Sequence, residues 1–269
     1  MSSVRVRVRS GMFRGKRLRR GLGPRRLPSV LLLVVLAGLA ASASAAATIS
    51  LLPPSVETVF RGTVTPSKLP ARGRAPVSLR LAEAIGKQDG SHPPALQELD
   101  VELDRHLGLS VEGLPRCGAP LQEHGPRTGT VVKCEDAKVG AGTIEVEVAV
   151  SEQQPVRTSG QVYVYNGGVS KGRTRFWLYT FISAPVAGSI LMPLDVRRDN
   201  NGVYGWKGVL TVPKIANGSG SVTSLSLNFS KGIFSAGCPT GKLQQRADSK
   251  FVDGTEAAVA AIQHCRASD

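Results

Sequence analysis

Residues 160–182 read GQVYVYNGGVSKGRTRFWLYTFI, two β-favouring runs (160–165 and 175–182) set either side of a glycine-rich interval. In the first run Tyr163 and Tyr165 share one face and Val162 and Val164 the other; in the second Trp177 and Tyr179 alternate with Phe176 and Leu178. A period of two belongs to a strand with unlike faces, and Asn166-Gly167-Gly168 is turn chemistry. The stretch predicts neighbouring antiparallel strands.

The same pattern extends outward. Short β-favouring runs recur at 77–81, 143–150, 189–196, 204–212 and 222–229. They are separated by Ala184-Pro185, Asp199-Asn200-Asn201-Gly202 and Asn217-Gly218-Ser219-Gly220, with no internal repeat. Regularly spaced short strands with such punctuation predict an all-β domain, an antiparallel β-sandwich or open barrel.

Two segments read both ways. Residues 94–109 fit a helix opened by Pro94, with Leu96, Leu99, Leu103 and Leu107 on one face. They also fit a strand with Leu99, Val101 and Leu103 inward and Glu98, Asp100, Glu102 and Asp104 outward. The β character of the rest favours the strand. At the C-terminus, 243–252 and 255–265 flank Asp253-Gly254, a favoured two-residue hairpin turn that sets residue 252 against 255 and 242 against Cys265. The alanines of 257–263 leave a helix as the competing reading.

The charge is unevenly distributed. The chain carries 34 Lys+Arg and 20 Asp+Glu, a formal net charge of +14, but ten of the basic residues precede Pro28 and the first acidic residue is Glu57. Beyond that leader 24 basic residues face 20 acidic ones, without the sustained basic run that points to nucleic acid. No nucleic-acid partner is expected. The leader itself has an Arg-rich region, an apolar run over 30–41 and the small residues Ser42-Ala43-Ser44-Ala45-Ala46-Ala47, the three parts of a secretory signal. Residues 1–47 are thus expected to be a signal peptide or membrane-anchor helix, and 48–269 one exported domain. Cleavage after Ala43, Ala45 or Ala47 is the favoured reading. Retention of 30–52 as a membrane anchor is the other, and the only membrane contact expected. Met12 offers an alternative start.

Cys117, Cys134, Cys238 and Cys265 all lie in the exported part. Four cysteines allow three pairings; sequential pairing closes the shortest loops and places Cys238 near the C-terminal hairpin's Cys265. No C-x-x-C or paired-histidine spacing points to zinc.

Catalytic, metal and cofactor motifs are expected to be absent. The alternating acids at 98–104 have the spacing to share a cation but lack a glycine-turned loop, and read as a solvated strand face. Gly168-Val169-Ser170-Lys171-Gly172 matches a nucleophile elbow by letter, yet leads into a strand instead of a helix, so it reads as a hairpin loop. Gly237-Cys238-Pro239-Thr240-Gly241-Lys242 is one residue short of a phosphate loop and Leu243 replaces its Ser/Thr. His92, His106, His124 and His264 sit in ordinary contexts. The aromatics carry more: Tyr163 with Tyr165, Trp177 with Tyr179, and Tyr204 with Trp206 each share a strand face. Such pairs either fill a core or form a platform for sugars or protein.

The pieces Arg61-Gly62-Thr63-Val64-Thr65-Pro66, Ala75-Pro76-Val77-Ser78-Leu79-Arg80-Leu81, Gly113-Leu114-Pro115-Arg116-Cys117 and Ser235-Ala236-Gly237-Cys238-Pro239, with Cys265, are framework elements spread over the exported part. In these the chain resembles a group of uncharacterised exported proteins of high-GC Gram-positive bacteria. The resemblance implies a secreted, cysteine-linked β-domain and carries no activity.

The expectation is a secreted or envelope-associated binding or structural module whose partner is an envelope component, polysaccharide or protein. The alternative is an extracellular hydrolase on cell-wall or other polymer, its site assembled from residues distant in sequence. A concave pocket with converging titratable groups separates the second from the first.

Overall fold

The computed structural model describes residues 56–118, 134–185 and 187–268; the leader and the signal or anchor lie outside them. The described residues form one curled antiparallel sheet. Its strands are β1 (Val56–Thr65), β3 (Ala75–Lys87), β4 (Leu96–Asp104), β5 (Leu107–Leu109), β6 (Lys138–Val148), β7 (Val156–Ser170), β8 (Arg173–Ile182), β9 (Gly188–Arg198), β10 (Tyr204–Thr211), β11 (Gly220–Ala236), β12 (Lys242–Phe251) and β13 (Glu256–His264). Their spatial order is β1-β3-β11-β6-β7-β8-β9-β10-β4-β12-β13, with β5 on β11. Two short strands, β2 (Lys68–Pro70) and β14 (Arg266–Ser268), pair in parallel beside it. The all-β class holds, and of its two expected forms the single curled sheet, a half-barrel, is the open barrel and not the two-sheet sandwich.

Every long strand places one alternating set of residues inside. Val77, Leu79, Ile85, Val162, Val164, Phe176, Leu178, Met192 and Leu243 belong to one continuous core. Opposite walls meet: the Phe176 and Phe229 ring centres are 5.4 Å apart, although two strands separate β8 from β11 within the sheet. About 40 Å³ remains between the walls near Phe60, Leu99, Leu103, Leu227 and Phe229. That is room for a water or two, so the interior is a packed core and not a ligand chamber.

The edge strands β1 and β13 return alongside each other. Gln263 on β13 joins them: the Val64 N–H donates to its Oε1 (2.6 Å) and its Nε2 donates to the Val64 carbonyl (2.8 Å). A glutamine amide carries the same acceptor and donor as a peptide group, so one side chain stands in for a ladder rung and covers an otherwise open edge. Glycine allows close approach where the curl is tight. A Cβ on Gly142 would lie 1.8 Å from the Ser226 carbonyl oxygen of β11.

The 94–109 segment forms the strands Leu96–Asp104 and Leu107–Leu109, and 257–263 lies within Glu256–His264, so packing in the sheet overrides the helical propensity of alanine and leucine there. Two local readings need correction. The C-terminal hairpin pairs Lys250 with Glu256 and Lys242 with His264, one residue away from the two-residue-turn register. Gly254 adopts φ +84° and the Phe251 N–H donates to the Thr255 carbonyl (3.0 Å), leaving Val252-Asp253-Gly254 as a three-residue loop. Asn166-Gly167-Gly168 is not the turn between β7 and β8. The Asn166 Oδ1 accepts the Gly168 N–H (2.9 Å) and the register shifts there, a bulge that lets β7 run on to Ser170. The chain reverses at Lys171 and Gly172, both left-handed (φ 50° and 73°), as a two-residue turn of primed type requires. β1 turns Thr58, Phe60 and Val64 inward in alternation with exposed residues.

Candidate functional site

The outer face of β7, β8 and β9 is built from the stretch that decides the fold. Pairing sets Tyr163 against Tyr179 and Tyr179 against Leu191, then Tyr165 against Trp177 and Trp177 against Pro193, then Arg175 against Asp195. The result is a cross-strand grid of rings ending in an ion pair. Tyr165 and Tyr179 are fully buried, clustered with Ala137 and the Cys117–Cys134 disulfide, while Tyr163, Trp177, Phe181 and Leu191 are half-buried around them. Arg175 holds Asp195 with two bonds (2.7 and 2.6 Å) and lies 5.1 Å from the Trp177 ring centre. The hydrogen bonds to Asp195 raise the guanidinium's already high pKa. Gly167 makes room for the Trp177 indole: a Cβ there would meet Nε1 at 2.9 Å. Lys138 lies 5.1 Å from the Tyr163 ring. The face therefore presents fixed rings beside a fork of paired hydrogen-bonding groups.

Tyr204 and Trp206 do not join it, nor do they share a face. A bulge between them pairs Tyr204 with Asp104 and Trp206 with Leu103, one in the outer row of β4 and one in the inner. One inserted residue reverses the alternation. Trp206 is buried in the core, donating from Nε1 to the Leu107 carbonyl (2.9 Å), and Tyr204 is half-buried near Glu102. Four of the six candidate aromatics thus form one face and two do not.

The acidic row of β4 is not a solvated face. Asp100, Glu102 and Asp104 are buried beneath long side chains from both neighbouring strands. Lys207 reaches Asp100 (2.9 Å), Lys250 bridges Glu98 (2.5 Å) and Asp100 (3.4 Å), and Asn201 donates to Glu102 (3.0 Å). Asp104 takes the Gln244 N–H (2.9 Å) and pairs with His106 Nδ1 (2.7 Å). Lysine stems cover this part of the row while their ammonium groups meet Glu98 and the Asp100 Oδ2, leaving the buried Asp100 Oδ1 without a hydrogen bond. Among the described residues no group of three or more His, Cys, Asp or Glu has metal-binding arrangement.

One constellation went unseen in the sequence because its members are spread over 129 positions. His92, in the β3–β4 connection, faces Glu147 of β6 through Nδ1 (2.9 Å) and Ser221 of β11 through Nε2 (3.0 Å), and Arg157 of β7 donates to the second Glu147 oxygen (2.9 Å). Burial alone would raise the Glu147 carboxyl, but the bonds from His92 and Arg157 outweigh it and hold the group below the usual range. The order Ser–His–Glu is that of a hydrolytic triad. Its surroundings do not suit one: the Pro93 carbonyl, 2.6 Å from the Ser221 hydroxyl, competes with His92 for its one proton, and the residue is 1% exposed. The arrangement fastens the β3–β4 connection onto the sheet. A fluorophosphonate probe is expected to leave Ser221 unmodified in the native protein; an adduct there, read by mass spectrometry, would instead establish a nucleophile.

A second buried group was legible but missed. Residues 77, 79, 81, 83 and 85 form the inner row of β3, so Glu83 sits among core side chains, accepting a bond from the Ser249 hydroxyl of β12. Burial pushes its carboxyl up to about 7, against the lowering effect of Ser249. It lines the small apolar cavity between the walls of the sheet, with Val101 and Leu225 beside it.

Comparison of the chain with protein-family models, curated proteins and solved structures finds no match. Two disulfides, Cys117–Cys134 and Cys238–Cys265, and the absence of free cysteine among the described residues are consistent with an oxidising, extracytoplasmic compartment. No helix among the described residues is long and apolar enough to cross a membrane.

Proposed function

We propose that this is an exported, disulfide-stabilised binding module that grips an envelope polysaccharide through the outer face of β7–β9. The observation that carries the reading is Trp177 held half-open beside the Arg175–Asp195 pair. Sugar rings offer an apolar face and a rim of hydroxyls; a fixed indole next to a guanidinium–carboxylate fork answers both. Two disulfides suit a module that works outside the cell. Retention on isolated cell-wall polysaccharide tests it. Trp177→Ala is expected to weaken retention by roughly tenfold, the scale of one well-packed aromatic contact. Val59→Ala, at an exposed position on the edge strand β1 and away from β7–β9 in the sheet, is the surface control and is expected to leave retention unchanged. Equal retention of all three proteins would remove the proposal.

A further inference from the structure

Basic residues that are scattered in the sequence come together at one end of the sheet. Antiparallel pairing brings the ends of β1, β11 and β13 and the starts of β3 and β12 to the same side. There β2 pairs with β14 and the Cys238–Cys265 disulfide closes. Residues 65–76, 237–242 and 264–268, with Arg105 and His106, make a cap at this end. Main-chain bonds tie it together: Cys238 N–H to Pro70 (2.8 Å), Gly237 N–H to His106 (3.1 Å) and Arg266 N–H to Ser67 (2.9 Å).

The cap exposes Lys68, Arg72, Arg74, Arg105, Lys242 and Arg266, and its described segments contain no Asp or Glu, Asp269 following them in the sequence. No ion pair among the described residues engages any of the six. Asp104 at its border is buried and already taken by His106 and Gln244. Arg74 is fixed in place, donating from Nε to the His106 carbonyl and from Nη2 to that of Arg105 (3.0 Å each), at the rim of a shallow concavity lined by Ala71, Gly73, His106 and Pro239. Of the exposed acids, Glu57, Asp89, Glu145, Glu152, Asp253 and Glu256 lie toward the opposite end of the strands, while Glu112, after β5, and Asp136, before β6, stand at this end of the sheet but outside the cap's segments.

Holding six like charges on a rigid cap is unfavourable for the domain alone and favourable once an anion spans them. Four of the six are arginines, whose planar forks match phosphate oxygens. The exposed large apolar side chains bordering the cap are Val203, whose carbonyl accepts the Arg105 N–H (2.9 Å), and Ile262 of β13, two single aliphatic residues and not the amphipathic helix that a lipid surface would take. We infer that this cap docks a linear phosphate-bearing polymer, at a surface separate from the aromatic face.

Lysine acetylation footprinting of the full, non-reduced chain tests it, because the readout is local and independent of the basic leader. The probe is inorganic polyphosphate at about 50 mM salt, where screening is modest. Polyphosphate is expected to protect Lys68 and Lys242 by about fivefold or more and to leave Lys87 and Lys214, at the far end, unprotected. The R72S/R105S/R266S protein, which keeps both reporter lysines, is expected to lose that protection. Should that variant fail to fold, the footprint of the unaltered chain still decides. Uniform protection of all four lysines, or none, would overturn the inference. So would equal protection by polyglutamate, or stronger protection by phosphatidylglycerol vesicles or a single-stranded oligodeoxynucleotide.

Discussion

Raising the pH from about 5 to 8 is expected to cost the domain on the order of 3 kcal/mol of stability through one carboxyl, Glu83. Its pKa rises to about 7 in the folded protein because the inner face of β3 takes it out of water, and no cation offsets the burial. The unfolded chain returns it to the ordinary carboxylate range. Below that range both states hold the proton and the fold is unpenalised. Between the two values the unfolded state ionises first, so stability falls as pH rises, and above about 7 both are ionised and the loss levels off. Glu83→Gln keeps the shape and an acceptor for the Ser249 hydroxyl but cannot ionise. The variant should match the parent near pH 5 and exceed it at pH 8 by most of that amount. Urea midpoints at the two pH values measure it; an unchanged pH dependence in the Gln variant would place the titration elsewhere.

Loss of the Cys238–Cys265 bridge is expected to destabilise the domain by roughly 3–4 kcal/mol, from the loop-closure entropy of its span. The bridge joins residues separated by 27 positions, and both cysteines are buried in the main core. It also fastens the β11–β12 connection to the end of β13, next to the Gln263 seam between the sheet's two edges. Cys238→Ala with Cys265→Ala should therefore unfold at lower denaturant and expose the C-terminal hairpin to protease. Cys117→Ala with Cys134→Ala removes a bridge from the small outer cluster instead, and should leave that hairpin protected. Denaturant midpoints with proteolytic mapping distinguish the two. Equal cleavage of the hairpin in both variants would show that the bridge does not hold the seam.

The candidate sites differ in how far a sequence can reveal them, for a physical reason. Tyr163, Tyr165, Trp177 and Tyr179 were visible because a strand's period of two is local, and adjacent strands joined by a tight turn inherit each other's faces. Tyr204 and Trp206 were misplaced because a bulge changes that period by one residue, and nothing in Tyr204-Gly205-Trp206 alone announces it. Glu83 was within reach: continuing the alternation of Val77, Leu79 and Leu81 by two residues lands on it. His92, Glu147 and Ser221 were not, since their meeting depends on β11 lying between β3 and β6.

The sequence by itself determined the all-β class, the turn-punctuated strands and the sequential pairing open to its four cysteines, because dihedral preference, alternation and turn chemistry act over a few residues. Only the tertiary structure decided that one sheet curls on itself, that the acids of β4 lie beneath lysines, and that scattered arginines share one end. Those outcomes depend on strand order and register, which are settled by the burial of all the inner faces together and by no single segment.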